Sequence, residues 1–372
     1  MSNDISKIDK NLSVETTLVK DGIYFYDVRR EPFRVYGLYD YKNQPHFRRL
    51  PAEVAAATSD GVAALSKHTS GGRVRFCTDS PFVCIKTEMN SISLFSHMPA
   101  SGAAGFDLFI DSPDGAESRY VRTFMPPWHT TDAGYESKID LGSKKLRYFT
   151  INFPSYSGVD ELLVGLSEDA TLGEGLPYRD AAPILYYGSS ITQGGCASRS
   201  GNIYQNVVCR RTNFDYINLG FSGNGRAEDA IVDYMASLDI SAFVCDYDHN
   251  SPSRAHLSAT HYKMYEKIRA AHPDIPYIML SKCDLDNDYN SNLARREVVY
   301  ESFCREVVYE SFCRARANGD KNVYYIDGAS IFRGPYQNMC TVDSCHPNDL
   351  GFALMADAIT AELERAMTQN LF

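Results

Sequence analysis

A chain of 372 residues is long for one hydrophobic core and comfortable for two, so two domains are the expectation. Its 44% hydrophobic and 23% charged residues are those of an ordinary globular protein and exclude a disordered chain. A net charge of -10, with no lysine/arginine block, argues against nucleic acid or an anionic membrane as partner.

The N-terminal "MSNDISKIDKNLSVETTLVKDG" has no apolar stretch of signal-peptide length. No later segment offers the ~18 unbroken apolar residues of a membrane-spanning helix. The ten cysteines show no CxxC pair and no metal-like spacing, which reads as reduced thiols in a cytoplasmic protein.

Up to about residue 175 the chain reads as strands: "RVRFCTDS", "FVCIKTEM", "GFDLFIDS", "YVRTFM", "YESKIDLG", "KLRYFTINF" and "DELLVGL", separated by turn signals such as "DSPDG" and "FPSYSG". Many short strands predict a β-sandwich or jelly roll. The alanine-rich "PAEVAAATSDGVAALSKH" is the exception and predicts a short helix or two. After "EGLPYRDAAP" the rhythm changes: apolar strands "ILYYGS", "FDYINLGF", "SAFVCDY", "YIMLSK" and "VYYIDG" alternate with helical stretches. This βαβ pattern predicts a five-stranded parallel sheet covered by helices, with ligands at the carboxyl ends of its strands. The boundary falls near residue 178, giving an all-β domain over 1–178 and an α/β domain over 179–372.

Within the second half "REVVYESFC" occurs twice in tandem, at 296–304 and 305–313. In one straight helix nine residues make about two and a half turns, so the two copies face opposite sides. One copy is expected to pack on the sheet, while the other lengthens, bulges or loops out of the helix.

The loops after the five strands carry the chemistry. They present Ser189 and Ser190; then Gly220, Ser222, Gly223, Gly225 and Arg226; then Asp248, His249 and Asn250; then "SKCDLDND"; and last Asp343 and His346 in "DSCHPNDLGF". A serine hydrolase needs a hydroxyl at a turn, an imidazole base, a group orienting the imidazole, and oxyanion donors. Asp343 stands three residues before His346, close enough for its carboxylate to turn back onto the ring. Gly223 lacks a Cβ and can bring an N–H close to substrate, and Asn250 offers an amide donor.

The order GxSxx, then "SG", then asparagine, then DxxH resembles the SGNH (GDSL-like) hydrolases, whose catalytic domain is a flavodoxin-like α/β/α sandwich. "YGSSITQGGCASR", "NLGFSGNGR", "DYDHN" and "DSCHPNDLGF" are similar to one branch, marked by an N-terminal β-sandwich with a GxDLY motif. Here the motif reads Gly105-Phe106-Asp107-Leu108-Phe109, with Phe for Tyr; GSSI stands where GDSL is usual, and DHN where GxN is usual. The resemblance implies Ser190 as nucleophile, Asp343 and His346 as its triad partners, and Ser190, Gly223 and Asn250 as oxyanion donors.

Other readings are less well supported. Gly220, Gly223 and Gly225 are spaced GxxGxG, not GxGxxG, and no GK[ST] accompanies them, which weakens a phosphate loop. "DLDNDYNSN" lacks the glycine and bidentate glutamate of a calcium loop. His256 and His261 are five apart and share no helical face, so no metal or other cofactor is expected. Arg226 and Trp128 are candidate substrate contacts. The expected function is a cytoplasmic serine esterase acting on a small ester, with acetylated oligosaccharides as the leading substrate. An acyltransferase with the same triad and a non-catalytic carbohydrate-binding protein are the alternatives.

Overall fold

The computed structural model describes residues 18–115, 117–127, 134–283 and 294–369. Trp128 and the acidic segment 284–292 lie outside the described residues.

The N-terminal half forms two large antiparallel sheets, with Ser91–Ile92 and Ser157–Gly158 pairing apart from them. One orders Ile23–Asp27, Glu161–Ser167, Phe82–Glu88 and Tyr135–Asp140; the other is built on Leu172–Glu174, Arg73–Thr78, Arg147–Asn152, Phe106–Asp111 and Arg119–Phe124. The inward residues of both sheets merge into one core, among them Val83, Ile85, Val164, Phe76, Leu108 and Ile151. "PAEVAAATSDGVAALSKH" forms two short helices, Ala52–Thr58 and Asp60–Leu65, with Ser59 capping the second by accepting from the Val62 N–H.

The C-terminal half holds a five-stranded parallel sheet in the order Tyr216–Gly220, Ile184–Gly188, Ala242–Asp246, Tyr277–Leu280 and Val323–Ile326. In sequence numbering this is 2-1-3-4-5, the flavodoxin-like order. Leu185 and Tyr187 enter one hydrophobic cluster, and Ile184 and Tyr186 enter another on the opposite face. Both faces are covered, which is why "ILYYG" is apolar throughout instead of alternating. The strand order reverses around Ile184–Gly188, so the crevice above its carboxyl end is where a ligand belongs in such a sheet.

The tandem nonapeptide lies in one continuous helix, Ala294–Ala317. The second copy packs Val307 and Val308 into the core, with Phe312 against it. The equivalent cysteines show the half-turn offset: Cys304 is buried and Cys313 is exposed. The duplication therefore lengthens the helix.

Buried polar groups tie the halves together. Arg49, 1% exposed, donates to the carbonyls of His68 and Leu65 on its own side and of Asn218 and Gly220 at the end of a parallel strand. Asp107, in the "GFDLF" motif, accepts from Asn152 within its sheet and from the Gly201 N–H across the junction, both at 2.7 Å.

Candidate active site

The turn that carries Ser190 is built by its small residues. Any Cβ on Gly188 would run into Asp246 Oδ1 and Thr192 Oγ1, so only glycine ends this strand. Ser189 is fully buried, and its hydroxyl accepts from the Ile191 N–H at 3.1 Å as the N-cap of the short helix Ser190–Gln193. Ser190 is half-buried, and its Oγ stands 2.9 Å from His346 Nε2.

His346 is held from its other side. Its Nδ1–H donates to Asp343 Oδ2 at 2.8 Å, while Asp343 Oδ1 accepts from the backbone N–H groups of His346 (2.7 Å) and Cys345 (3.1 Å). Ser344 takes φ 66° between them, the left-handed bend that folds the carboxylate back onto the ring. Partial burial works to raise the Asp343 pKa, but the bonds from His346 and the ring's charge prevail and hold the carboxyl below its ordinary value. With Nδ1 carrying the proton, Nε2 is free to accept the Ser190 hydroxyl proton. Asn348 then starts the long helix Asp349–Gln369 by accepting from the Leu350 and Gly351 N–H groups.

The three oxyanion candidates lie in the loops after the first three parallel strands. Ser190 begins its helix, so its N–H has no intrahelical acceptor. Gly223 has φ 68°, and a Cβ there would meet nothing within 4 Å, so its backbone faces open space. Gly220 and Gly225 differ: Cβ atoms there would strike Gln193 N and Gly188 O, which makes them packing glycines. Asn250 Nδ2 donates one hydrogen to Phe221 O at 2.8 Å and has a second to offer. Buried Gln193 braces the loop, its Oε1 accepting from the Ser222 N–H at 3.0 Å. Arg226 lies exposed on the same loop and donates to Gly223 O at 3.0 Å.

Sequence reasoning missed the wall that the β domain supplies. Tyr156 Oη donates to Ser190 O at 3.3 Å. Phe95 packs edge-on against Tyr156, with centroids 5.1 Å apart, and the His97 ring lies 5.6 Å from that of His346. Leu94 and Phe95, close to His97 in the chain, are exposed apolar side chains, as are Tyr336, Met339 and Val342 in the stretch before Asp343. No spacing in "SLFSHMPA" signals this, because the residues reach the site only by tertiary packing. A separate cavity of about 280 Å³ opens between the domains at Arg73, Arg75, Asp111 and Tyr178, and none of the triad residues line it.

Residues 181–364 match the model of the GDSL-like lipase/acylhydrolase family, and residues 23–172 match that of the N-terminus of SGNH-hydrolase-type esterases, named GxDLY. No curated protein matches the chain. Among solved structures, a protein described as a GDSL-like lipase from Bacteroides ovatus is 24% identical with a TM-score of 0.82, the match covering 93% of this chain and 98% of that one. A salicylyl-acyltransferase from a tetracycline biosynthetic pathway is 20% identical with a TM-score of 0.73, covering 92% and 97%. An acetyl xylan esterase from the rumen bacterium Butyrivibrio proteoclasticus is 12% identical with a TM-score of 0.57, covering 93% and 99%. At these identities the likeness is one of fold.

Proposed function

For a chain that belongs to the GDSL-like lipase/acylhydrolase family and carries the GxDLY esterase-type N-terminal domain, we propose a serine carboxylic-ester hydrolase that works through an acyl-enzyme. The observation that carries this reading is the continuous hydrogen-bonded line Ser190 Oγ, His346 Nε2, His346 Nδ1, Asp343 Oδ2, at 2.9 and 2.8 Å.

Ser190 Oγ attacks the ester carbonyl as His346 Nε2 takes its proton. The developing oxyanion is received by the N–H groups of Ser190 and Gly223 and the free hydrogen of the Asn250 amide. The alcohol leaves with the proton from His346. Water, deprotonated by the same nitrogen, then releases the acid and restores Ser190. Asp343 holds the tautomer and the imidazolium throughout.

The substrate proposed is an acetylated saccharide. Its support is the likeness in fold to an acetyl xylan esterase and the exposed ring of Phe95, which packs on Tyr156 beside Ser190 and is suited to a sugar face. The domain limit near residue 178 and a reducing, cytoplasmic location belong to the same reading; the cysteine spacing, with no CxxC pair, is what supports that location. The likeness in fold to a salicylyl-acyltransferase supports a second reading, the same triad passing its acyl group to an alcohol.

A panel of acetyl, butyryl and octanoyl aryl esters, followed by acetylated xylo-oligosaccharides, tests the substrate: kcat/KM should be highest for acetyl and higher still on the sugar. Ser190→Ala should lower kcat at least 100-fold. Preference for octanoyl over acetyl contradicts the saccharide reading. Product partitioning to an added alcohol in place of water would establish the acyltransferase.

A further inference from the structure

His97 does more than wall the site. It stands with two other donors: one ligand atom each from His97, Cys196 and His346, all within 4.8 Å of one another. His97 is exposed, His346 half-buried and Cys196 buried among Met98, Ala103 and Tyr156. The cysteine also occupies an unusual backbone position. It has φ 73°, a left-handed conformation that favours glycine, directly after Gly194 and Gly195. A side chain in this region costs on the order of 1 kcal/mol or more, and a thiol held there against that cost invites a use for its sulfur.

We propose that His97, Cys196 and His346 form a site for one zinc-class divalent ion, and that its binding switches the enzyme off. Two imidazoles and a thiolate are the donor set of zinc and its soft or borderline neighbours. Zinc takes nitrogen at about 2.0–2.1 Å and sulfur at about 2.3 Å, so bound donors stand roughly 3.3–3.6 Å apart. Closing from the present separation needs about 1 Å of movement, available to the exposed His97 ring. On binding, Cys196 releases its proton to solvent and its sulfur lone pair goes to the metal; both imidazoles bind as neutral donors. The fourth position is left for water.

Inhibition follows whichever His346 nitrogen is taken. Metal on Nε2 occupies the lone pair that accepts the Ser190 proton; metal on Nδ1 displaces Asp343. Either way the base is lost, and a chelator restores it. The ion is an inhibitor here and takes no part in the ester chemistry. This inference rests on His346 being the catalytic base, but binding is measured without catalysis.

Titration with Cd²⁺ or Co²⁺, read by thiolate-to-metal charge-transfer absorption, should show one saturable band in the wild type and equally in Ser190→Ala. The band should vanish in Cys196→Ser and weaken at least tenfold in affinity in His97→Ala. Cys196→Gly, which relaxes the backbone at φ 73°, guards against a misfolded serine variant. In parallel, Zn²⁺ should inhibit acetyl-ester hydrolysis reversibly with EDTA. Its inhibition constant should rise at least tenfold in His97→Ala and Cys196→Gly, each measured against that variant's own metal-free rate. A band that persists without Cys196, no band at all, or zinc inhibition unchanged in both variants overturns the proposal. Undiminished hydrolysis by Ser190→Ala would overturn the triad instead, and leaves the absorption band to judge the metal site.

Discussion

The hydroxyl of Ser189 is engaged by the Ile191 N–H as a helix cap, while that of Ser190 faces His346, so adjacent identical residues hold unlike positions. An oxygen acceptor at position 189 is needed to cap the turn, and serine supplies it where relatives carry aspartate. His346 depends in turn on Asp343, whose side chain is 35% exposed. Water can replace part of what that carboxylate does, yet not its choice of tautomer. Asp343→Asn should therefore lower kcat by roughly 10²- to 10⁴-fold with KM little changed. Equal loss in KM and none in kcat would show that Asp343 serves binding alone. The sequence offers Ser190, Gly223, Asn250, Asp343 and His346 as candidates because they lie in loops after recognisable parallel strands, and the structure brings Ser190, His346 and Asp343 into one hydrogen-bonded line. His97, Tyr156 and Cys196 were not legible in the sequence, since packing brings them to the site from distant parts of the chain and no local spacing marks them.

The five parallel strands announced themselves as short apolar runs because both their faces are covered. Strands of two or three residues, such as Arg34–Tyr36, Ser91–Ile92 and Ser157–Gly158, are too short to show a period and were missed. In the helix Ala294–Ala317, removal of either nonapeptide leaves the same sequence and one copy to hold the positions of Val307 and Val308. A nine-residue deletion should therefore fold, with thermal unfolding still cooperative and esterase activity retained. Insoluble or non-cooperative protein would mean that the added turns are structural. Under the Ser190 turn, Asp246 is buried and accepts from the Thr192 and Tyr204 hydroxyls, and burial pushes its pKa up to about 8. The unfolded chain loses this proton near pH 4 and the folded one near pH 8, so between them the native state binds more protons. Stability from this group accordingly falls as pH rises, by at most about 1.4 kcal/mol per pH unit, and levels off above the folded pKa. Urea unfolding of Asp246→Asn should lack that slope, so the wild type loses ground to the variant from pH 5 to 8. Parallel curves would show that Asp246 is ionised in the folded state.

At the scale of the whole molecule the site is joint property. The α/β sheet presents Ser190 at its switch point, hydrogen-bonded to His346, and the β domain closes one side with Tyr156, Phe95 and His97. Arg49 fixes the two together where it matters, its guanidinium on Gly220 O, three residues before the Gly223 N–H. The Asp107 clamp explains the aspartate of the "GFDLF" motif: it anchors the turn Ser200–Asn202 to the β domain. The order of an antiparallel β-rich part followed by a parallel sheet was readable from the change of rhythm along the chain, whereas this joint was not, because a buried arginine looks in sequence like a surface one. The central claim is that Ser190, activated by His346, is the nucleophile. Reaction with a fluorophosphonate followed by peptide mass spectrometry tests it most directly. One adduct is expected, on Ser190, formed in step with loss of esterase activity and absent in His346→Ala. An adduct on Ser189 or Ser222, or full activity with Ser190 unlabelled, would contradict it.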